Sequence, residues 1–191
     1  MSFIVMEGSH GAGKSTIIKG MQDRYNLITL KSIPDWYRKY IPFARSLPPQ
    51  IQKQVYMIGH EANYETLQKN KDYILDRFFY TTIIRLNYEL GITPNESIKE
   101  MLSINMIPNI VFYLNTNKEI VLKRLNTRGD ICIFDEKFFK YENETYRQLS
   151  TVSDKIISVN NDNTIDETLD VIDNHLHNNK ILLRRKNEKR I

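Results

Sequence analysis

FIVMEGSHGAGKST, residues 3–16, begins as a run of apolar residues and breaks abruptly into glycines, a lysine and three hydroxyls. A short, nearly continuous apolar run that ends in glycine is what a strand buried on both faces requires. Gly8 to Ser15, GSHGAGKS, fits the spacing G-x-x-x-x-G-K-[ST] at every fixed position, between that strand and a predicted helix from Ser15 to about Tyr25. Glycines let successive backbone N–H groups turn inward into a concave nest for anions, and the helix behind them aims its positive end at the same point. The residues expected to hold a nucleoside triphosphate are therefore Gly8, Ser9, His10, Gly11, Ala12, Gly13, Lys14, Ser15 and Thr16. Lys14 is expected to reach the β- and γ-phosphates and Ser15 to ligate Mg²⁺, so ATP and Mg²⁺ are the cofactors implied.

Outward from this loop, the same alternation of period and punctuation repeats. NLITL (26–30), DYILD (72–76), NIVFYL (109–114) and KIISV (155–159) share the apolar character of the first strand. Helical stretches separate them, at about 50–67 and at 81–90 with Gly91 closing the latter. Three capping boxes mark further helix starts: Thr93 with Glu96 and Pro94 between, Thr116 with Glu119, and Thr164 with Glu167. Phe138, Phe139 and Tyr146 fall on one apolar helix face and read as packing. Strands that alternate with helices need crossover connections, which predicts an α/β fold of the P-loop NTPase type, a five-stranded parallel sheet with helices on both faces.

At 191 residues, 41% hydrophobic and 26% charged, the chain reads as one globular domain over 1–191, without repeats or low-complexity tracts. A single cysteine, Cys132, cannot close an internal disulfide. No stretch approaches the roughly 20 apolar residues of a membrane span, and the opening strand has no basic flank or cleavage site. A cytoplasmic protein without a membrane partner is expected. The net charge of +4 is misleading, because residues 180–191 alone sum to +5 and the rest to −1. This basic tail reads as a solvated terminal segment rather than a nucleic-acid contact.

DYILDRFFYTT places Asp76 and Arg77 at the C-terminal end of a predicted central strand, where ligands of open α/β sheets gather. An aspartate there can hold the hydration shell of Mg²⁺, and an arginine can grip a phosphate through two parallel hydrogen bonds. With these residues the chain resembles the thymidylate kinase family of nucleoside monophosphate kinases. Glu7 and the loop match the family's opening, and DRFFYTT is similar to its DRY-x-x-S-S segment, with Thr81 and Thr82 on the hydroxyl positions. YLNTN (113–117), RLNTRG (124–129) and VNNDNTIDETLDVI follow in the family's order, and FARSL (43–47) is like its short helix. The resemblance implies a monophosphate acceptor facing ATP, contacted by Arg45, Arg77 and Thr81, and a lid over about 127–135. It further implies phosphoryl transfer assisted by Lys14, Arg77, Arg124 and Arg128, and pairing of the chain as a homodimer.

The acceptor side departs from the family. Its usual acidic residue is His10 here, its R-E-P reads Ser32, Ile33, Pro34 with Asp35 one place late, and Leu86 replaces a base-contacting glutamine. Gly11 and Ile133 stand where relatives carry catalytic arginines, and VYMIGHEANYE supplies Tyr56, His60 and Tyr64 but no arginine. Trp36 and Tyr37 read as core aromatics rather than a stacking platform. Three readings follow. The first is transfer from ATP to a (deoxy)nucleoside monophosphate, dTMP leading. The second is a deoxynucleoside kinase in which Asp35, a substrate-side residue, serves as base toward a 5′-hydroxyl. The third is a nucleotide-binding protein with weak or no catalysis.

Overall fold

Side chains alternate faces along a strand, so a strand apolar at every position must be covered on both sides. Along β1 (Phe3–Glu7), Phe3 and Val5 enter one core while Ile4 and Met6 enter the other, each burial stabilising by about 1.5–3 kcal/mol relative to exposure. The computed structural model describes residues 1–128 and 134–186. After β1 come α1 (Lys14–Arg24), β2 (Ile28–Lys31), a 3-10 turn at Arg38–Tyr40, α2 (Ile41–Ala44) and α3 (Pro49–Glu65). Then follow β3 (Tyr73–Asp76), α4 (Phe79–Glu89), α5 (Pro94–Leu102), β4 (Ile110–Asn115), α6 (Lys118–Arg128), α7 (Glu136–Val152), β5 (Ile156–Asn160) and α8 (Ile165–Asn178). The five strands are the five read from the sequence.

All five are parallel, in the order β2-β3-β1-β4-β5. Because β3 lies between β1 and β2, the C-terminal ends of the three strands are in register: Met6 and Lys31 both pair with Asp76. Helices α3, α4, α5 and α7 contribute to the core on one face, which holds Phe79, Ile83, Ile98 and Tyr146. On the other face α1 and α8 bring Ile17, Met21, Leu169 and Ile172 against Ile4 and Phe112. These two helices approach closely at Gly20, where an added Cβ would stand 2.6 Å from a Leu169 methyl carbon. Phe139 and Tyr146 are buried and Phe138 is partly so, as the apolar stripe requires.

Two of the three expected capping boxes are present. Thr93 and Glu96 cap α5, and Thr164 and Glu167 cap α8, each exchanging side-chain and backbone hydrogen bonds. The third is not, since α6 begins at Lys118 and the buried Thr116 donates its hydroxyl to the Ala12 carbonyl at 3.2 Å. A tertiary partner has taken the group that the local pattern assigned to a cap. The tail is also less free than its charge suggested. Ile181 and Leu183 pack on the α1–α8 core, Asn26 donates its backbone N–H to the Arg184 carbonyl at 2.8 Å, and Arg185 bridges Tyr25 in antiparallel sense. Cys132, Ile133, residues 129–133 of the expected lid and residues 187–191 of the tail lie outside the described residues. Among those described, no helix is long and apolar enough to cross a membrane.

Candidate active site

The chain leaves β1 through Gly8, Gly11 and Gly13, all with positive φ, and Gly13 (φ +95°) is the N-cap of α1. That places the free N–H groups of the helix start at the loop's concave side. Lys14 is buried and folds over the loop, donating from Nζ to the Gly8 carbonyl at 2.8 Å and the Ser9 carbonyl at 2.9 Å. Burial, and next the Arg77 guanidinium, pull its ammonium down to about 7, against the carboxylates of Asp76, Glu142 and Glu7. Phosphates entering the loop act in the same direction as those carboxylates and hold Lys14 charged.

Beneath the loop, Glu7 is fully buried and accepts from the Phe78 backbone N–H at 2.8 Å and from the Thr81 hydroxyl at 2.5 Å. Burial pushes it up to about 7, opposed chiefly by Arg77. Arg77 itself donates to Thr81 Oγ1 at 3.0 Å and adopts a left-handed backbone conformation, φ +68°. A non-glycine residue held there stores about 1–3 kcal/mol of strain, a pattern concentrated at functional sites.

Two adjoining cavities open over the C-terminal ends of the strands. The first, about 350 Å³, is lined by His10, Gly11, Gly13, Lys14, Ser15, Asp76, Arg77 and Arg128, so it collects most of the loop and strand-end residues expected from the sequence. Asp76 has one carboxylate oxygen buried without a hydrogen-bond partner among the described residues, on the same cavity as Ser15. This hard-oxygen pair fits a divalent cation that completes its shell with phosphate and water oxygens. No group of three or more His, Cys, Asp or Glu among the described residues could hold a metal unaided.

The second cavity, about 480 Å³, shares Ser32, Arg38 and Arg77 with the first and continues to Arg45, Gln52, Tyr56, Thr81, Thr82, Arg85 and Leu86. Among the described residues that line it, four are arginines and none is a carboxylate. Its wall is braced by His60, which is fully buried between Ser32 and Thr82. Burial pushes the imidazole down to about 4, so it is neutral near pH 7. The Ser32 carbonyl, 3.1 Å away, can only accept, which puts the proton on Nδ1. Nε2 then accepts from the Thr82 hydroxyl at 2.9 Å.

Three expected placements need correction. Asp35 does not line either cavity; it faces solvent and pairs with Lys31 at 2.8 Å and Arg38 at 3.6 Å, because the turn after β2 directs it outward. Arg124 does not line the first cavity, although it shares another, of about 450 Å³ beside α6, with Arg128. Its guanidinium lies behind the loop, 3.0 Å from the Ala12 carbonyl and 3.1 Å from the Asn161 carbonyl, while Arg128 lines the first cavity. Trp36 is 60% exposed rather than in the core, its edge against the buried Tyr37.

Sequence reasoning passed over Arg38, Arg85, Gln52 and Glu142. Arg85 stands four residues after Thr81 on α4, a spacing that puts both on one helix face and could have been read. Glu142 sits on the buried stripe of α7 between Phe139 and Tyr146, and a carboxylate inside an apolar stripe is itself a signal. Burial raises it above the usual carboxylate range against the pull of Arg77 and Lys14, and one of its oxygens lacks a partner among the described residues.

A five-stranded parallel sheet with a glycine-rich loop leaving its central strand is the fold of the P-loop nucleotide kinases. No family model matches the chain. It is 27% identical over 146 residues to a thymidylate kinase of Leptospira interrogans, covering 67% of this chain and 70% of that one. Its fold is similar to deoxyadenosine kinase from M. mycoides with bound dATP, at a TM-score of 0.65, 18% identity and coverage of 91% and 98%. A thymidylate kinase from Candida albicans matches at a TM-score of 0.64, 15% identity and 97% of each chain. The chain thus resembles thymidylate kinases in sequence and P-loop nucleotide kinases in fold, at a divergent level of identity to both.

Proposed function

We propose that the chain transfers the γ-phosphoryl group of ATP to a (deoxy)nucleoside monophosphate, with dTMP the leading acceptor. The observation that carries this reading is the second cavity, with Arg38, Arg45, Arg77 and Arg85 and no carboxylate on its described walls. Such a lining favours a dianionic acceptor and offers no base to an uncharged 5′-hydroxyl. Asp35, which the sequence offers as that base, is held outside by Lys31 and Arg38.

In this reading the loop N–H groups and Lys14 grip the β- and γ-phosphates, and Arg77, on the boundary of the two cavities, meets both the transferred group and the acceptor phosphate. Arg128 adds positive charge from the end of α6. Ser15 and Asp76 would hold Mg²⁺, which neutralises charge on the β- and γ-oxygens when bound. Catalysis here is positioning and charge stabilisation, since a largely dissociative transition state asks little of a base. A homodimer and a cytoplasmic location complete the proposal. Ile51 and Ile58, exposed and seven residues apart on α3, give that pairing an apolar face.

A coupled ADP-release assay across nucleosides and monophosphates tests the proposal. Turnover with dTMP and not thymidine is expected. Turnover only with nucleosides would transfer the chain to the deoxynucleoside kinase reading, and none with any acceptor to nucleotide binding without catalysis.

A further inference from the structure

A backbone carbonyl has two lone pairs, yet that of Ala12 accepts from three side chains. Thr116 Oγ1 lies at 3.2 Å, Arg124 Nη1 at 3.0 Å and Asn161 Nδ2 at 2.5 Å, brought from the β4–α6 junction, from α6 and from the segment after β5. Each donor is itself held. The Asn161 amide oxygen accepts from the buried Thr168 hydroxyl on α8 at 3.0 Å, which turns its NH₂ toward the loop. The second arm of Arg124 reaches the Asn161 carbonyl at 3.1 Å, and Thr116 and Asn161 are both buried.

A trans peptide is planar, with its C=O and N–H pointing in opposite directions, and the chain contains no cis bond among the described residues. Pinning the Ala12 oxygen from behind therefore points the Gly13 N–H forward, toward the cavity that Gly13 lines. No hydrogen bond among the described residues takes up that N–H. The clamp also explains why residue 13 must be glycine beyond its φ of +95°: a Cβ there would stand 2.8 Å from Asn161 Nδ2 and 3.2 Å from Arg124 Nη1.

We propose that Arg124, Asn161 and Thr116 form a three-donor clamp on the Ala12 carbonyl that preorganises the phosphate loop, making Arg124 a positioning residue that acts through the backbone. The inference rests on the reading that this loop binds a polyphosphate. A charged donor removed from a buried acceptor costs about a factor of ten or more in the property it supports.

The test separates the loop from any contact of Arg124 with the donor base by using a ligand that has no base. Calorimetric titration of Mg²⁺–tripolyphosphate and Mg²⁺–ATP into wild type, Arg124→Gln and Asn161→Ala should show both ligands weakened by the same factor, about tenfold, in each variant. The KM for the acceptor should stay as in wild type, and Arg124→Lys, which can still donate to Ala12, should recover part of the loss. The Gly13 amide signal in a ¹⁵N-correlated spectrum should move in the ligand-free variants. Asn161→Ala keeps the test open if Arg124→Gln does not fold. Weakened ATP with unchanged tripolyphosphate would overturn the clamp in favour of a base contact, and unchanged affinity for both would overturn it outright. A wild-type chain that binds neither ligand would instead overturn the phosphate-loop reading and the clamp with it.

Discussion

The two sides of the site are built by different physical means. On the proposed donor side the ligand-facing groups are backbone N–H groups, aimed by glycines and by the start of α1, with Lys14 as the one buried cation among the described residues. On the acceptor side they are side chains from the turn after β2, α2, α3 and α4, converging on a space that no single segment encloses. Backbone dipoles recognise charge whatever the neighbouring residues are, provided the spacing is right. A pocket of side chains recognises a particular molecule, and its specificity drifts with each substitution. The contrast accounts for a loop that matches its motif at every fixed position beside a second cavity that departs from thymidylate kinases at Ser32, Ile33 and Leu86.

Five substitutions would break or sharpen that contrast. The largest expected effect is Lys14→Ala, which removes the buried cation of the donor side and should lower kcat/KM by about 10³-fold or more in the coupled assay, with unfolding temperature little changed. Substantial remaining activity would mean that the loop does not serve transfer. Next comes the brace of the acceptor wall. The imidazole of His60 takes a proton at 6.5 in an unfolded chain and at about 4 in the folded one, so between these values the unfolded state binds more protons. Stability should thus be intact above pH 6.5 and fall by about 3 kcal/mol as pH drops toward 4. Denaturant titrations at stepped pH should show this acid limb in wild type and a shallower one in His60→Gln. An identical slope in both would remove the neutral brace.

Smaller effects probe the pocket itself. Arg38→Ala, on the boundary of the two cavities, should raise both the KM for the monophosphate and that for ATP, whereas Arg45→Ala should raise the former about tenfold and leave the latter within about twofold, since Arg45 lines only the second cavity. An equal rise in both constants for Arg45→Ala would show the two sides to be one unit. Asp35→Asn should change either constant by less than about twofold, because its partners are exposed surface cations. Loss of all activity in that variant would restore the base that the geometry argues against.

Much of this was legible before folding. The five strands, two capping boxes, the glycine-rich turn between β1 and α1 and the position of Asp76 and Arg77 at the end of β3 follow from short-range pattern, and the structure keeps each. What failed did so for one kind of reason. Thr116 left its helix cap for Ala12, Arg124 turned from the cavity to the back of the loop, Asp35 turned outward, and Trp36 stayed at the surface. In each case a partner distant in sequence, or the absence of one, decided where the side chain went.

Residues 3–16 alone dictate that a buried strand passes into an anion-binding turn, because φ-permissive glycines, an apolar run and a helix start are local properties of consecutive residues. Which arginines share the acceptor cavity, why His60 is neutral and what grips Ala12 depend on segments from separate β-α units meeting at one end of the sheet. Those relations exist only once the chain is packed, since burial and low dielectric arise from the packing, and they set the chemistry of the cavity beside this general phosphate loop.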